Sequence, residues 1–103
     1  MPKFRIYYAR KPTFRAGGSH DTPPLTLETL AETHVFVREV EAAGLEDALR
    51  NMQAEVWSPN GEAKPLIHSL GLSHTSMSVG DVAQDPFGTY WEYTGRGGWH
   101  AVE

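Results

Sequence analysis

Two periodicities organise this chain. Lys3-Phe-Arg-Ile-Tyr-Tyr-Ala-Arg10 alternates, placing Phe4, Ile6 and Tyr8 on one face and Lys3, Arg5, Tyr7 and Ala9 on the other. That pattern predicts a half-buried strand with a basic, solvated face, ended by Pro12. From Leu45 to Val56 the apolar residues Leu45, Ala48, Leu49, Met52 and Val56 form one stripe at helical spacing, with Glu46 and Asp47 where the helix dipole favours acids. This predicts the principal helix, about 45–56, closed by Ser58-Pro-Asn-Gly61.

Between these lie weaker signals. Residues 11–24 hold Pro12, Gly17, Gly18, Pro23 and Pro24 and read as a mobile loop. Thr26 is placed to N-cap a short helix over Leu27–Thr33. Thr33–Val40, rich in β-branched residues, predicts a strand broken by Ala42-Ala43-Gly44. In residues 62–73 four apolar side chains want burial, but Pro65 and Gly71 argue for an irregular segment over the sheet.

The C-terminal third is dense in turn and aromatic signals. Met77, Val79 and Val82 are inward candidates, and Gly80-Asp81 supplies a tight turn with glycine available for positive φ. Asp85-Pro-Phe-Gly88 has the chemistry of a type I turn. Thr89–Thr94 alternates as a strand with Thr89, Trp91 and Tyr93 on one face. Gly95-Arg-Gly-Gly98 then turns it into a return strand, Trp99–Val102. The architecture expected is a single α+β domain over 1–103, with a small mainly antiparallel sheet, one principal helix and a C-terminal β-meander.

The block Ser76-Met-Ser-Val-Gly-Asp-Val82, followed by a turn, an aromatic strand and Gly98-Trp99, resembles a pattern in small uncharacterised proteins of phages and mobile elements. It is similar to the YodL-like domain, whose core reads Ser-hydrophobic-Ser-Val-(Ser/Gly)-Asp-Val, a short strand and a Gly-aromatic close. The resemblance spans residues 74–103. It implies an accessory domain without an established activity, and it carries over no catalytic residue.

Composition narrows the chemistry. There are no cysteines, which rules out disulfides, thiolate metal sites and a cysteine nucleophile. No apolar run reaches the roughly 18 residues of a membrane span, and no signal-peptide core is visible, so a cytoplasmic protein without membrane contact is expected. The net charge of −4 hides a split: five cations and no acid in residues 1–15, against eight acids and two arginines in 16–57. Cross-neutralisation within the fold accounts for this better than a polyanion partner, which the overall acidity opposes.

Among His20, His34, His68, His74 and His100 no pair has helical metal-site spacing; His68 with His74, or Glu92 with His100 across the hairpin, are the nearest approaches. A hydrolase would take Ser76 or Ser78 as nucleophile, His74 or His100 as base and Asp81 as orienter. No Gly-x-Ser-x-Gly elbow accompanies them, and backbone capping in a turn explains Ser76, Ser78 and Asp81 better. The glycine-rich 95–98 segment matches no phosphate-binding loop.

The function expected is therefore a non-enzymatic accessory protein acting through a protein partner, with no cofactor, no metal and no catalytic residue. Its binding surface is expected around Lys3, Arg5, Tyr7, Tyr90, Glu92, Arg96 and His100. The alternative is a single-stranded nucleic-acid binder, with Tyr7, Tyr90, Trp91, Tyr93 and Trp99 for stacking and Lys3, Arg5 and Arg96 for phosphates. A small metal-dependent enzyme ranks third. An unpaired edge strand would also permit a homodimer.

Overall fold

A computed structural model describes residues 2–10, 25–96 and 98–103. The expected 11–24 loop, with His20, lies outside the described residues. The fold is α+β: five antiparallel strands in the order β2-β1-β3-β4-β5, with short helices between β2 and β3. β1 (Lys3–Ala9) buries Phe4, Ile6 and Tyr8 to 4% exposure or less, as the alternation requires. β1 pairs on one side with β2 (His34–Glu41) and on the other with β3 (Val82–Gln84), both antiparallel. β2 and β3 therefore run parallel to each other, one on each side of β1. Parallel strands require a crossover connection, and helices α2 (Leu45–Asn51), α3 (Ala54–Trp57) and α4 (Lys64–Ser69) supply it.

Part of the charge split finds its counterpart here. Lys3 lies opposite Glu41 and Arg5 opposite Glu39 in the β1–β2 register, so the basic strand meets acids across the ladder.

α1 (Leu27–Thr33) begins at Thr26, whose Oγ1 accepts the Thr29 amide at 3.3 Å while Thr29 Oγ1 accepts the Thr26 amide at 3.2 Å. Two neighbouring threonines thus satisfy each other's orphan donors in a capping box. β4 (Tyr90–Gly95) and β5 (Gly98–Ala101) complete the expected meander.

Two expectations are corrected. The helix predicted over 45–56 is two helices, α2 (Leu45–Asn51) and α3 (Ala54–Trp57), separated at Met52 and by the extended Gln53. The break is held from outside. The Met52 carbonyl accepts the Met77 amide at 3.1 Å, the Ala54 amide donates to Ser76 Oγ at 2.8 Å, and Gln53 Nε2 donates to the Leu49 and Met77 carbonyls. Ser76 and Met77 take up the backbone groups that a continuous helix would have paired. As a result Val56, the end of the apolar stripe, is 49% exposed.

The irregular segment expected over 62–73 contains a helix, α4 (Lys64–Ser69), with Pro65 in its first turn. Proline there loses no intrahelical bond and starts the helix. Gly71, at φ +75°, ends it: the Gly71 amide bonds to the His68 carbonyl and the Leu72 amide to the Ile67 carbonyl, each at 3.0 Å. This is a Schellman closure.

The main core joins Phe4, Ile6 and Tyr8 to Ala48, Met52, Ile67, Leu72 and Met77, with Trp57 and Trp99 packed at its margin. α2 and α4 therefore cover one face of the sheet, while Leu30 of α1 is buried outside this core together with Ala9, Val82 and Val102. If residue 76 stabilises the helix break, Ser76→Ala should lower the unfolding free energy by about 1 kcal/mol, because the Ala54 amide loses its acceptor. Chemical denaturation measures this; an unchanged midpoint and slope would show the break to be set by α2 and α3 alone.

Candidate functional site

The Ser76–Val82 block forms a buried polar hub. Residues 78–81 make a tight turn, the Asp81 amide bonding to the Ser78 carbonyl at 3.0 Å, with Gly80 at φ +95°. Asp81 is 1% exposed. Its Oδ1 accepts the Ala9 amide at 2.8 Å; its Oδ2 accepts the Ser78 amide at 2.8 Å and lies 3.0 Å from His74 Nε2. That last contact places the proton on Nε2. The His74 ring stacks on Tyr8, with centroids 4.7 Å apart and planes at 13°. The Tyr8 hydroxyl donates to the Thr75 carbonyl at 2.6 Å, and burial, reinforced by Asp81, pushes its pKa far above that of a free phenol.

A second histidine borders the hub. His34 Nε2 donates to the Gly80 carbonyl at 2.7 Å and Nδ1 lies 2.8 Å from Thr33 Oγ1. Burial lowers its pKa below 6.5, with Arg10 acting the same way and the Gly80 bond and Asp81 opposing. Among the described residues no buried side-chain nitrogen or oxygen lacks a partner.

A histidine oriented by a buried aspartate is two-thirds of a hydrolytic triad. The serines do not complete it. Ser76 Oγ serves the Ala54 amide, and Ser78 Oγ donates to the Ser76 carbonyl at 3.2 Å. The arrangement braces a turn, in line with the capping roles expected of these residues.

The opposite sheet face is different in kind. Register places Phe36, Tyr7, Val82, Glu92 and His100 in one row across the sheet, with Val82 at its centre fully buried, and Glu39, Arg5, Gln84 and Tyr90 in the next, more open row. The rings of Tyr7 and Phe36 meet edge-on at 5.6 Å, those of Tyr7 and Tyr90 at 5.7 Å. The Arg5 guanidinium sits 4.4 Å over Phe36. Burial raises the Glu92 carboxyl above the ordinary glutamate value, while its cross-strand neighbour His100 pulls it back.

At the margin of this face stands the Asp85–Gly88 turn. It shares a groove of about 340 Å³ with Lys3, Arg5 and Glu39. Asp85 Oδ1 accepts the Phe87 and Thr89 amides at 2.9 Å each, and Oδ2 accepts Trp91 Nε1 at 3.0 Å. Burial alone would raise the Asp85 carboxyl, but these bonds outweigh it and hold its pKa below the usual aspartate value. The turn so braced holds Phe87 at 93% exposure.

Of the expected binding residues, Arg5, Tyr7, Tyr90, Glu92 and His100 share this face, Tyr7, Tyr90 and Glu92 being half-buried in it, and Lys3 borders the groove beside Arg5. Arg96 does not join them; it sits at the β4–β5 hairpin tip with φ +51°. Trp91, Tyr93 and Trp99 point to the helix side, where Trp99 Nε1 donates to Glu46 at 2.7 Å. Phe36 and Phe87 were not among the expected residues. Phe87 had a signal, as the one apolar residue in a tight turn; Phe36 had none, because its exposure follows a β-bulge between Ile6 and Tyr7 of β1 that leaves Val37 as the extra residue. Glu92 and His100 do meet across the hairpin, but no cluster of three or more His, Asp or Glu suited to a metal exists among the described residues. None of their helices is long and apolar enough to cross a membrane.

No protein-family model, curated protein or solved structure matches the chain.

Two outcomes are expected of the hub. Asp81→Asn should cost about 3 kcal/mol, since an amide cannot accept on both sides and one buried donor is left unpaired; equal stability of the variant would deny the carboxylate its bracing role. For His34, native burial favours the neutral form, so its contribution is fully present above pH 6.5 and is lost as pH falls towards its depressed native pKa. Denaturation midpoints should therefore decline below about pH 6.5, and less steeply in His34→Gln; parallel profiles for the two proteins would contradict this.

Proposed function

We propose that this chain is a non-enzymatic protein-binding module, an accessory protein of the kind implied by the YodL-like, mobile-element resemblance of residues 74–103. It engages its partner with the open sheet face and the turn beside it. The observation that carries this reading is Phe87, 93% exposed on a turn whose geometry is locked by the Asp85 carboxylate. A phenylalanine has roughly 150–250 Å² to bury, and holding it rigid in advance removes much of the ordering cost of association. Phe36, at 39% exposure, extends the apolar area across the strands.

A protein partner suits this surface better than a single-stranded nucleic acid. Glu39 and Asp85 share the groove with Lys3 and Arg5, and Glu92 lies in the adjoining row. Three of the five expected stacking residues face the helices, and one face of Phe36 is already occupied by Arg5.

Affinity isolation from the native host should recover a stoichiometric partner with the wild-type protein. Phe87→Ala, which removes only an exposed ring, should reduce recovery by tenfold or more while leaving the unfolding temperature unchanged. Equal recovery by both proteins would refute the role given to Phe87. Oligonucleotide binding that weakens steeply with salt and is lost in Arg5→Ala would establish the nucleic-acid reading in its place.

A further inference from the structure

A second surface lies away from the Phe87 turn, along the free edge of β2. β2 is a terminal strand of the sheet, paired only with β1 among the described residues. Beside it, between the strand and the α2–α3 break, runs a groove of about 370 Å³ lined by Arg38, Val40, Glu41, Asn51, Val56 and Trp57. The groove is a product of that break. A continuous helix would have turned Val56 inward with the rest of its stripe, but here Val56 is 49% exposed at the groove wall.

Arg38 is the distinctive group. Register puts it on the helix side of β2, opposite Ile6, and its guanidinium lies 5.0 Å over the Trp57 ring. The ion pairs among the described residues are Arg50 with Asp47 and His74 with Asp81, so Arg38 has no carboxylate partner. A guanidinium stacked on an aromatic ring keeps its planar fork of donors ordered for a carboxylate, and stacking removes part of the entropy otherwise lost when the pair forms.

We propose that this groove takes an extended segment of a partner protein. The segment adds as a strand to the free edge of β2, sets an Asp or Glu carboxylate on Arg38, and lays an apolar side chain against Val40, Val56 and Trp57. Strand addition satisfies the edge groups of β2 other than the Glu41 carbonyl, which already accepts Asn51 Nδ2 at 3.3 Å, and the alternation of side chains along an extended peptide delivers every second one to the groove. A second copy of this chain fits less well. Pairing β2 with itself would gather Glu39 and Glu41 from both copies at one seam, across the bulge at Val37.

The test is selection of displayed random short peptides on the intact wild-type protein and on Arg38→Gln, Arg38→Lys and Phe87→Ala. Enrichment of peptides with an acidic residue at a fixed place among alternating β-branched or apolar residues is expected. Replacing that acid by its amide should weaken binding about tenfold, as should Arg38→Gln. Arg38→Lys should rescue only in part, because an ammonium lacks the fork. Binding should protect β2 amides from hydrogen exchange and should be unaffected by Phe87→Ala, which separates this groove from the open-face reading. The proposal is overturned if no peptide is enriched, if Arg38→Gln binds the same peptides equally well, if protection falls on β5 or the Phe87 turn, or if sedimentation shows β2 occupied by a second copy.

Discussion

The structure depends on one buried carboxylate. Asp81 ties the end of β1 to the 78–81 turn and fixes His74, while its own carbonyl accepts the Tyr93 amide at 2.9 Å and draws in β4. Removing a carboxylate from water is costly, and the acceptance of several donors offsets that cost only while every partner stays in place. The same cluster reaches the helices, since Tyr8 stacks on His74 and bonds to the Thr75 carbonyl. From there residues 75–77 hold the α2–α3 break. A hub that resembles catalytic machinery in composition is thus a junction of β1, β3, β4 and the helical layer.

That junction separates the molecule into surfaces with different physical character. On the helix side, aromatic and aliphatic residues close a core around Ile6, Tyr8 and Met52. On the other side, aromatic rings, Arg5 and two acids lie in rows with little above Phe36. Exposed rings on a sheet cost solvation free energy in a monomer, and a partner that covers them recovers it. The Phe87 turn adds a rigid projection at the border of this face, held by a second aspartate acting through the same chemistry as Asp81 but at the surface.

The edge of β2 shows how a local break creates a possible contact. Because the Met52 carbonyl is taken by Met77, the chain leaves its helical path, Val56 turns outward and Trp57 comes beneath Arg38. Edge strands are usually protected by charge or distortion, and β2 carries both, in Glu39, Glu41 and the bulge. That protection acts against unselective pairing while leaving an oriented guanidinium open on the other side.

Much of this was legible in the residues themselves. The alternation in Lys3–Ala9, the Thr26 cap, the β-branched second strand, the positive φ at Gly80, the Asp85 turn and the meander all follow from side-chain period and turn chemistry, which act over a few residues. The shared face of Arg5, Tyr7, Tyr90, Glu92 and His100 was legible to the same extent, because period two decides which way each points. What tertiary structure alone decided involves partners distant in sequence. The helical stripe of Leu45–Val56 carries no breaker; Ser76 and Met77 interrupt it by offering an acceptor and a donor to its backbone. Phe36 reaches the open face because the bulge at Val37 shifts the phase of β2. Arg38 meets Trp57 because the crossover returns the chain to that edge. Period and propensity are local quantities; bulges, broken helices and cross-chain stacking are settled by the free energy of the packed whole.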